Sequence, residues 1–382
     1  MGGINIHISN TPLTVQSRDK KIIQSLADAN VFDKIYFIGT WESPLAKVEI
    51  LDEKQTVIRI PIKFFKLKSG NFWKALRLFE WFVRVLIKSR GINADCINCH
   101  ALPLLPLCVL LKFIKRAKLV YDTHELETET NASSHLRRHF SKIVERMLIK
   151  FGDETIVVSQ SIATWYQRKY NLKRVWVVRN IPYKSKGFSR RTELLRNSFG
   201  IQEDEILFLY QGLIAEGRGI GLLLDVFSQL NSGRHIVFMG FGELCDVVKD
   251  YASRYKNIHY YPSVKPNEII YYSSSADVGV SLIENTCLNY YYCLPNKMWE
   301  YLNASLPVLV SNFPEMRNVV EQYRCGWLAE PTADNIKDSV EKITIKDISE
   351  KRANVLAAKG RFGWHLEEPT LLNVYRELGF LL

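Results

Sequence analysis

The sequence predicts an α/β protein built from two doubly wound, parallel-sheet domains, and three observations lead there. The chain has 382 residues, more than a single core comfortably serves. Short β-rich runs alternate with helical stretches from end to end, as expected for parallel strands covered by helices on both faces. Between two such series lies a basic, Ser-containing stretch at 182–197 that reads as a linker.

The first series places strands at 5–8, 34–38, 57–60, 96–99, 119–121, 155–158 and 176–178. The second places them at 206–210, 235–239, 258–260, 278–282, 308–310 and 327–329. The domains expected are therefore 1–182 and 198–362, with an interdomain cleft as the natural site. In parallel sheets ligands bind beyond the carboxyl ends of strands, and the polar and Gly-rich peculiarities fall there. They are Asp122-Thr-His-Glu, the run from Gly212 to Gly219, Gly240-Phe-Gly242-Glu and Glu284-Asn285.

Apolar content of 47% with 24% charge is that of a folded globular protein and excludes a disordered one. The charge is uneven: residues 1–180 hold 29 of the 51 Lys+Arg but only 16 of the 40 Asp+Glu. A basic first half implies that it faces something anionic. The cations concentrate at 63–90, where Lys66, Lys68, Arg77 and others mingle with Trp73 and several phenylalanines, against the single acid Glu80. Such a mixture suits the interface of an anionic membrane. The competing reading makes Phe72, Leu76, Phe79 and Val83 a core stripe with solvated lysines behind it. A nucleic-acid partner is not expected, because it explains the charge but not the four loops.

The longest apolar run, 101–111, is too short to cross a bilayer and carries two prolines. No leader reads ahead of the strand at 5–8, and seven scattered cysteines suit reduced thiols, so the expectation is a cytoplasmic protein. Cys96-Ile-Asn-Cys99-His100 matches the haem-attachment spelling, but it lies on a buried strand and is refused. His100, ending that strand, is expected to line the cleft. No Asp-x-Asp pair and no His/Cys cluster of zinc-like spacing occurs, so no metal is expected.

The most pointed stretch is LPNKMWEYLNASLPVLV at 294–310. Pro295 suits a first helical turn, Lys297 and Glu300 then share a face, and Pro307 precedes a buried strand. A helix start favours phosphate, and a carboxylate one turn further accepts hydrogen bonds from a sugar diol. Arg218, at another helix start between Gly217 and Gly219, suits a diphosphate. His124 sits between two carboxylates at a strand end.

Taken together, KLVYDTHE (118–125), DETIVVS (153–159), VVRNIP (177–182), YQGLIAEGRG (210–219), MGFGE (239–243), SADVGVSLIEN (275–285) and LPNKMWEYLNASLPV (294–308) resemble the family 4, or group 1, retaining nucleotide-sugar glycosyltransferases. The resemblance implies the GT-B architecture, with two Rossmann-like domains and a C-terminal helix within 363–382 returning to the first. It implies that His124 meets the donor sugar, Arg218 neutralises the leaving diphosphate and Glu300 binds the ribose diol. Gly212, Gly240 and Gly242 fall on the nucleotide side. Neither cofactor nor metal is implied beyond a UDP- or GDP-linked donor.

Two positions depart from the pattern. Tyr292 stands where the family's first glutamate belongs, and Leu213 where many members carry a diphosphate-binding arginine. Lys297 is expected to supply that missing cation. The function expected is hexosyl transfer to a glycan or polyprenyl-diphosphate-linked acceptor in bacterial surface polysaccharide assembly, at the inner face of the cytoplasmic membrane. His100, Lys66, Lys68, Trp73 and Arg77 are expected on the acceptor or membrane side. A non-catalytic partner of the same fold, or a nucleotide-sugar epimerase, are the rival readings.

Overall fold

The structure is a computed structural model describing residues 2–14, 17–64, 70–131, 135–183, 191–230 and 233–381. It divides into two units, Met1–Asn180 with Leu366–Leu382, and Ile181–His365.

The strands of the first unit are β1 (Ile4–Ile8), β2 (Lys34–Thr40), β3 (Val48–Ile50), β4 (Gln55–Ile60), β5 (Cys96–Cys99), β6 (Lys118–Asp122), β7 (Glu154–Val157) and β8 (Trp176–Val177). They form one sheet in the order β3-β4-β2-β1-β5-β6-β7-β8. Every pairing is parallel except β3 against β4. Strand β3 went unread because its three residues are all exposed and carry no alternation to detect. The central strands are buried along their length, as a sheet covered on both faces requires.

With them go the helices α1 (Ser17–Asp28), α2 (Asn71–Ser89), α3 (Leu105–Lys115), α4 (His135–Leu148) and α5 (Gln160–Tyr170). Glu145 fixes α4 and α5 to the sheet, accepting from Tyr121, Tyr166 and Tyr170 hydroxyls at 2.8, 2.6 and 2.6 Å. Burial raises its carboxyl despite those three bonds. The sheet order reverses between β1 and β5, so the loops after β1, β5 and β6 meet at a topological switch point.

In the second unit the sheet runs β11-β10-β9-β12-β13-β14 and is wholly parallel. The strands are β9 (Ile206–Leu213), β10 (Arg234–Phe241), β11 (Ile258–Pro262), β12 (Val278–Ser281), β13 (Val308–Ser311) and β14 (Gly326–Ala329). Here the reversal lies between β9 and β12. The helices are α6 (Leu194–Phe199), α7 (Ile220–Ser228), α8 (Cys245–Arg254), α9 (Ile269–Ser273), α10 (Leu288–Tyr291), α11 (Asn296–Asn303), α12 (Pro314–Tyr323), α13 (Ala333–Lys342) and α14 (Ile345–Ala358). Helix α6 starts inside the stretch read as linker. Leu195 is fully buried there and its N–H donates to Ser275 Oγ, so tertiary contact overrides a composition that looks like loop.

The tail forms helix α15 (Trp364–Glu377), and from Leu366 on it belongs to the first unit. Glu367 grips Arg179 through both its N–H and its guanidinium, while Tyr375 accepts from Asn98 at 2.6 Å and packs edge-on against Phe32. Its buried face is what brings the chain end back.

Candidate functional site

In the second unit the groups gather at the ends of β9 and β12. Helix α11 starts behind Pro295, whose extended backbone forms its N-cap, and Lys297 and Glu300 follow one turn apart. Gln211, buried at the end of β9, donates from Nε2 to Glu300 Oε2 at 2.6 Å and accepts from Ser273 Oγ at 2.6 Å. The Glu300 carboxylate is thereby aimed by a side chain itself held at both ends.

The Lys297 ammonium lies 3.7 Å from the centre of the Tyr210 ring, and the Arg218 guanidinium lies 5.0 Å from that of Tyr290. Burial, and then the Arg218 charge, push the Lys297 ammonium down to about 7, with Glu300 opposing. Two cations close enough to repel make a site at which an anion is stabilising.

The loop carrying Arg218 turns through Gly217 and Gly219, both at positive φ. Glu284 fastens it, accepting from the Gly219 N–H at 3.2 Å while its own N–H donates to the Gly217 carbonyl. Gly212 and Gly240 do not follow their strands, as the sequence reading had it, but lie paired within the ends of β9 and β10. A Cβ on Gly240 would stand 1.9 Å from the Gly212 carbonyl oxygen, so backbone approach accounts for the glycine there. Gly242, just beyond β10, also has positive φ. Tyr292 forms the C-cap of α10, and Leu213 is 43% exposed at the end of β9.

In the first unit four elements converge on one cluster. Asp19 comes from α1, His100 from the residue after β5, Asp122 from the end of β6, and His124 from the loop beyond it. Arg18 donates to both oxygens of Asp122, from Nη2 at 2.7 Å and from Nε at 3.1 and 3.2 Å, and to the Val178 carbonyl at 2.6 Å. Burial would raise the Asp122 carboxyl, but Arg18 and then His124 hold it well below the usual carboxylate range.

His100 Nε2 lies 2.8 Å from His7 Nδ1, and its Nδ1 lies 3.3 Å from His124 Nε2. Burial opposes charge on His100, but Asp19 and Asp122 outweigh it and raise its imidazole. His7, behind it, is driven well down by burial and by His100. His100 is thus a buried member of a network rather than a lining residue, correcting the sequence expectation. The side chain of His124 is the open one, 24% exposed. Asp19 and His7 were missed because their partners lie far away in sequence.

The descriptions of two adjoining families match this chain. Glycosyl transferases group 1 covers residues 191–361, and Glycosyltransferase Family 4 covers residues 34–181. The chain belongs to this family of glycosyltransferases. Among curated relatives, the alpha-monoglucosyldiacylglycerol synthase of Acholeplasma laidlawii is 26% identical over 296 residues, 70% of each chain. Among solved structures, the sucrose-phosphate synthase of Thermosynechococcus elongatus aligns with TM-score 0.79 at 15% identity, over 98% of this chain and 99% of that one. Anabaena Alr3699/HepE, in complex with UDP-glucose, aligns with TM-score 0.73 at 13% identity, over 98% and 100%. These likenesses show the GT-B fold.

In this glycosyltransferase the basic-aromatic segment is partly described. Lys66 and Lys68 lie outside the described residues, while Trp73 and Arg77 are half-buried on α2. Helix α2 buries Trp81 and Val85 and presents Phe72, Phe79, Val83 and Ile87 to solvent. The stripe that the alternative reading placed in the core therefore points outward. Phe113 and Ile114 on α3, and Phe140 and Met147 on α4, are also exposed. Among the described residues no helix is long and apolar enough to cross a membrane.

Proposed function

We propose that the protein is a retaining hexosyltransferase that takes its sugar from a UDP- or GDP-linked donor. The observation that carries this reading is the grouping of Arg218 and Lys297, two cations held near each other, with the Gln211-oriented Glu300 one turn along α11. Arg218 and Lys297 hold the diphosphate, and Glu300 accepts from the ribose hydroxyls. Lys297 replaces the arginine absent at Leu213. No metal is asked of the diphosphate, because two side-chain cations and the start of α11 answer its charge.

The glycosyl–phosphate bond breaks as the acceptor hydroxyl attacks from the same face. The hydroxyl proton passes to an oxygen of the departing phosphate, the new glycosidic bond forms and nucleoside diphosphate leaves. We assign to His124 the stabilisation of the positive charge developing on the sugar. UDP-glucose in a structural neighbour and a glycolipid product in a relative's name support the donor and a lipid-linked acceptor. The acceptor we assign is a glycan or polyprenyl-diphosphate-linked glycan of bacterial surface polysaccharide. The exposed apolar residues of α2 and the surrounding cations support docking on the anionic inner face of the cytoplasmic membrane.

The test is thermal stabilisation of the purified protein by UDP, GDP, ADP, CMP and their sugars, with Glu300→Ala as control. A shift with one nucleotide, lost in the variant, supports the donor site and names the base. No shift with any favours the non-catalytic reading that Tyr292 and Leu213 motivate.

A further inference from the structure

We propose that Asp19, His100 and His124 form a zinc-binding site in the first unit, with a water as the fourth ligand. This goes beyond the reading of the reaction, which leaves the diphosphate to cationic side chains and asks nothing of a metal.

The spacing of three ligand atoms carries the proposal. Asp19 Oδ1 lies 3.4 Å from both His100 Nδ1 and His124 Nε2. The two nitrogens are 3.3 Å apart, and Asp122 Oδ2 lies 3.4 and 3.5 Å from them. The Asp19, His100 and His124 atoms therefore stand at the corners of a nearly equilateral triangle. The centre of such a triangle lies about 0.58 edge lengths from each corner, roughly 1.9 Å, so an ion about half an ångström out of the plane meets the ~2.0–2.2 Å of zinc bonds to histidine nitrogen and carboxylate oxygen. Two imidazoles among the donors favour zinc over magnesium or calcium, which prefer oxygen throughout.

A second observation stands apart from the spacing. Asp19 is fully buried, and neither of its carboxylate oxygens accepts a hydrogen bond. A carboxylate in that position is costly unless a cation meets it. The surroundings also match those of metal ligands. His7 meets the far nitrogen of His100 at 2.8 Å, and the Arg18-held Asp122 carboxylate stands beside both ligand nitrogens. His124, the partly exposed member, provides the way in. Sequence spacing hid the set, since its members come from two loops and a helix start.

One consequence rests on the functional reading above. If the His124 imidazole belongs to the donor sugar, zinc and sugar contend for it, and zinc inhibits transfer.

The experiment uses the full chain, stripped with chelator and titrated with zinc chloride against a chromophoric competitor. Cobalt(II) absorption then reports coordination number. The expected result is one zinc per chain and the intense visible absorption of a four-coordinate cobalt site. Binding should weaken at least about tenfold in Asp19→Asn and in His124→Ala, and stay unchanged in His259→Ala. No zinc retained at one equivalent, or equal retention in His124→Ala, overturns the proposal. If Asp19→Asn fails to fold, His124→Ala decides alone, since that side chain is partly exposed. Zinc bound with transfer unchanged keeps the site and removes His124 from the reaction, so the two readings fail separately.

Discussion

Gln211 donates from its amide to Glu300 Oε2 at 2.6 Å, and the same amide oxygen takes the Ser273 hydroxyl. The carboxylate assigned to the donor's ribose is therefore aimed by a strand-end residue that no motif names. Gln211→Ala leaves Glu300 in place but without this donor. A hydrogen bond to a charged group is worth ~1.5–3 kcal/mol, so donor KM should rise roughly tenfold or more, with kcat less affected. Steady-state kinetics with varied donor checks this, and an unchanged KM counts against the role of Gln211.

Lys297 titrates near 7 in the folded protein because burial and Arg218 disfavour its charge. Nucleoside diphosphate should therefore bind with proton uptake above neutrality, and affinity should fall as pH rises from 6 to 8.5. Calorimetry in buffers of different ionisation enthalpy measures both, and Lys297→Met should abolish the uptake. For stability the sign runs the other way. Between about 7 and the ordinary lysine value of 10.5 the unfolded chain holds a proton the folded one lacks, so this group makes stability rise with pH.

Arg18 and Asp122 form a buried ion pair that ties α1 to β6, and Arg18 reaches on to the Val178 carbonyl. Removing one partner strands the other charge. Arg18→Met should cost ~3–5 kcal/mol in denaturant unfolding, and pairing it with Asp122→Asn should recover part of that loss. An additive double variant would mean that the pair contributes little.

Phe79 and Val83 lie on the outward stripe of α2 and touch solvent rather than core. Replacing both with Ser should leave the melting temperature within a few degrees. It should weaken sedimentation with phosphatidylglycerol vesicles about tenfold, taking ~1.5–3 kcal/mol for a phenylalanine leaving an apolar environment. Binding of the wild type should also fall with added salt. Equal sedimentation of variant and wild type would remove α2 from the membrane reading.

Where the chain alternates strongly, the sequence was easy to read. Strand β5 falls at 96–99 as expected, and the Pro295 helix start with Lys297 and Glu300 is where the spacing put it. The boundaries of β9 and β10 were not legible. Gly212 and Gly240 look like turn residues in one dimension, but they are strand residues whose missing Cβ lets two backbones approach. The direction of α2 was likewise open, since a stripe of Phe72, Phe79 and Val83 suits a core or an interface equally well.

What the sequence determined by itself was everything set by local periodicity and short spacing: the alternation, most strands, the helix starts and the family motifs carrying His124, Arg218 and Glu300. What only the tertiary structure decided was which distant groups share a site. Asp19 and His100 reach His124, and His7 reaches His100, because β1, β5 and β6 are neighbours at the point where the sheet order reverses. Gln211 reaches Glu300 across 89 residues of chain by the same device in the other sheet. A parallel sheet brings remote strand ends together only through its pairing order, and that order follows from burying apolar faces on both sides rather than from any motif.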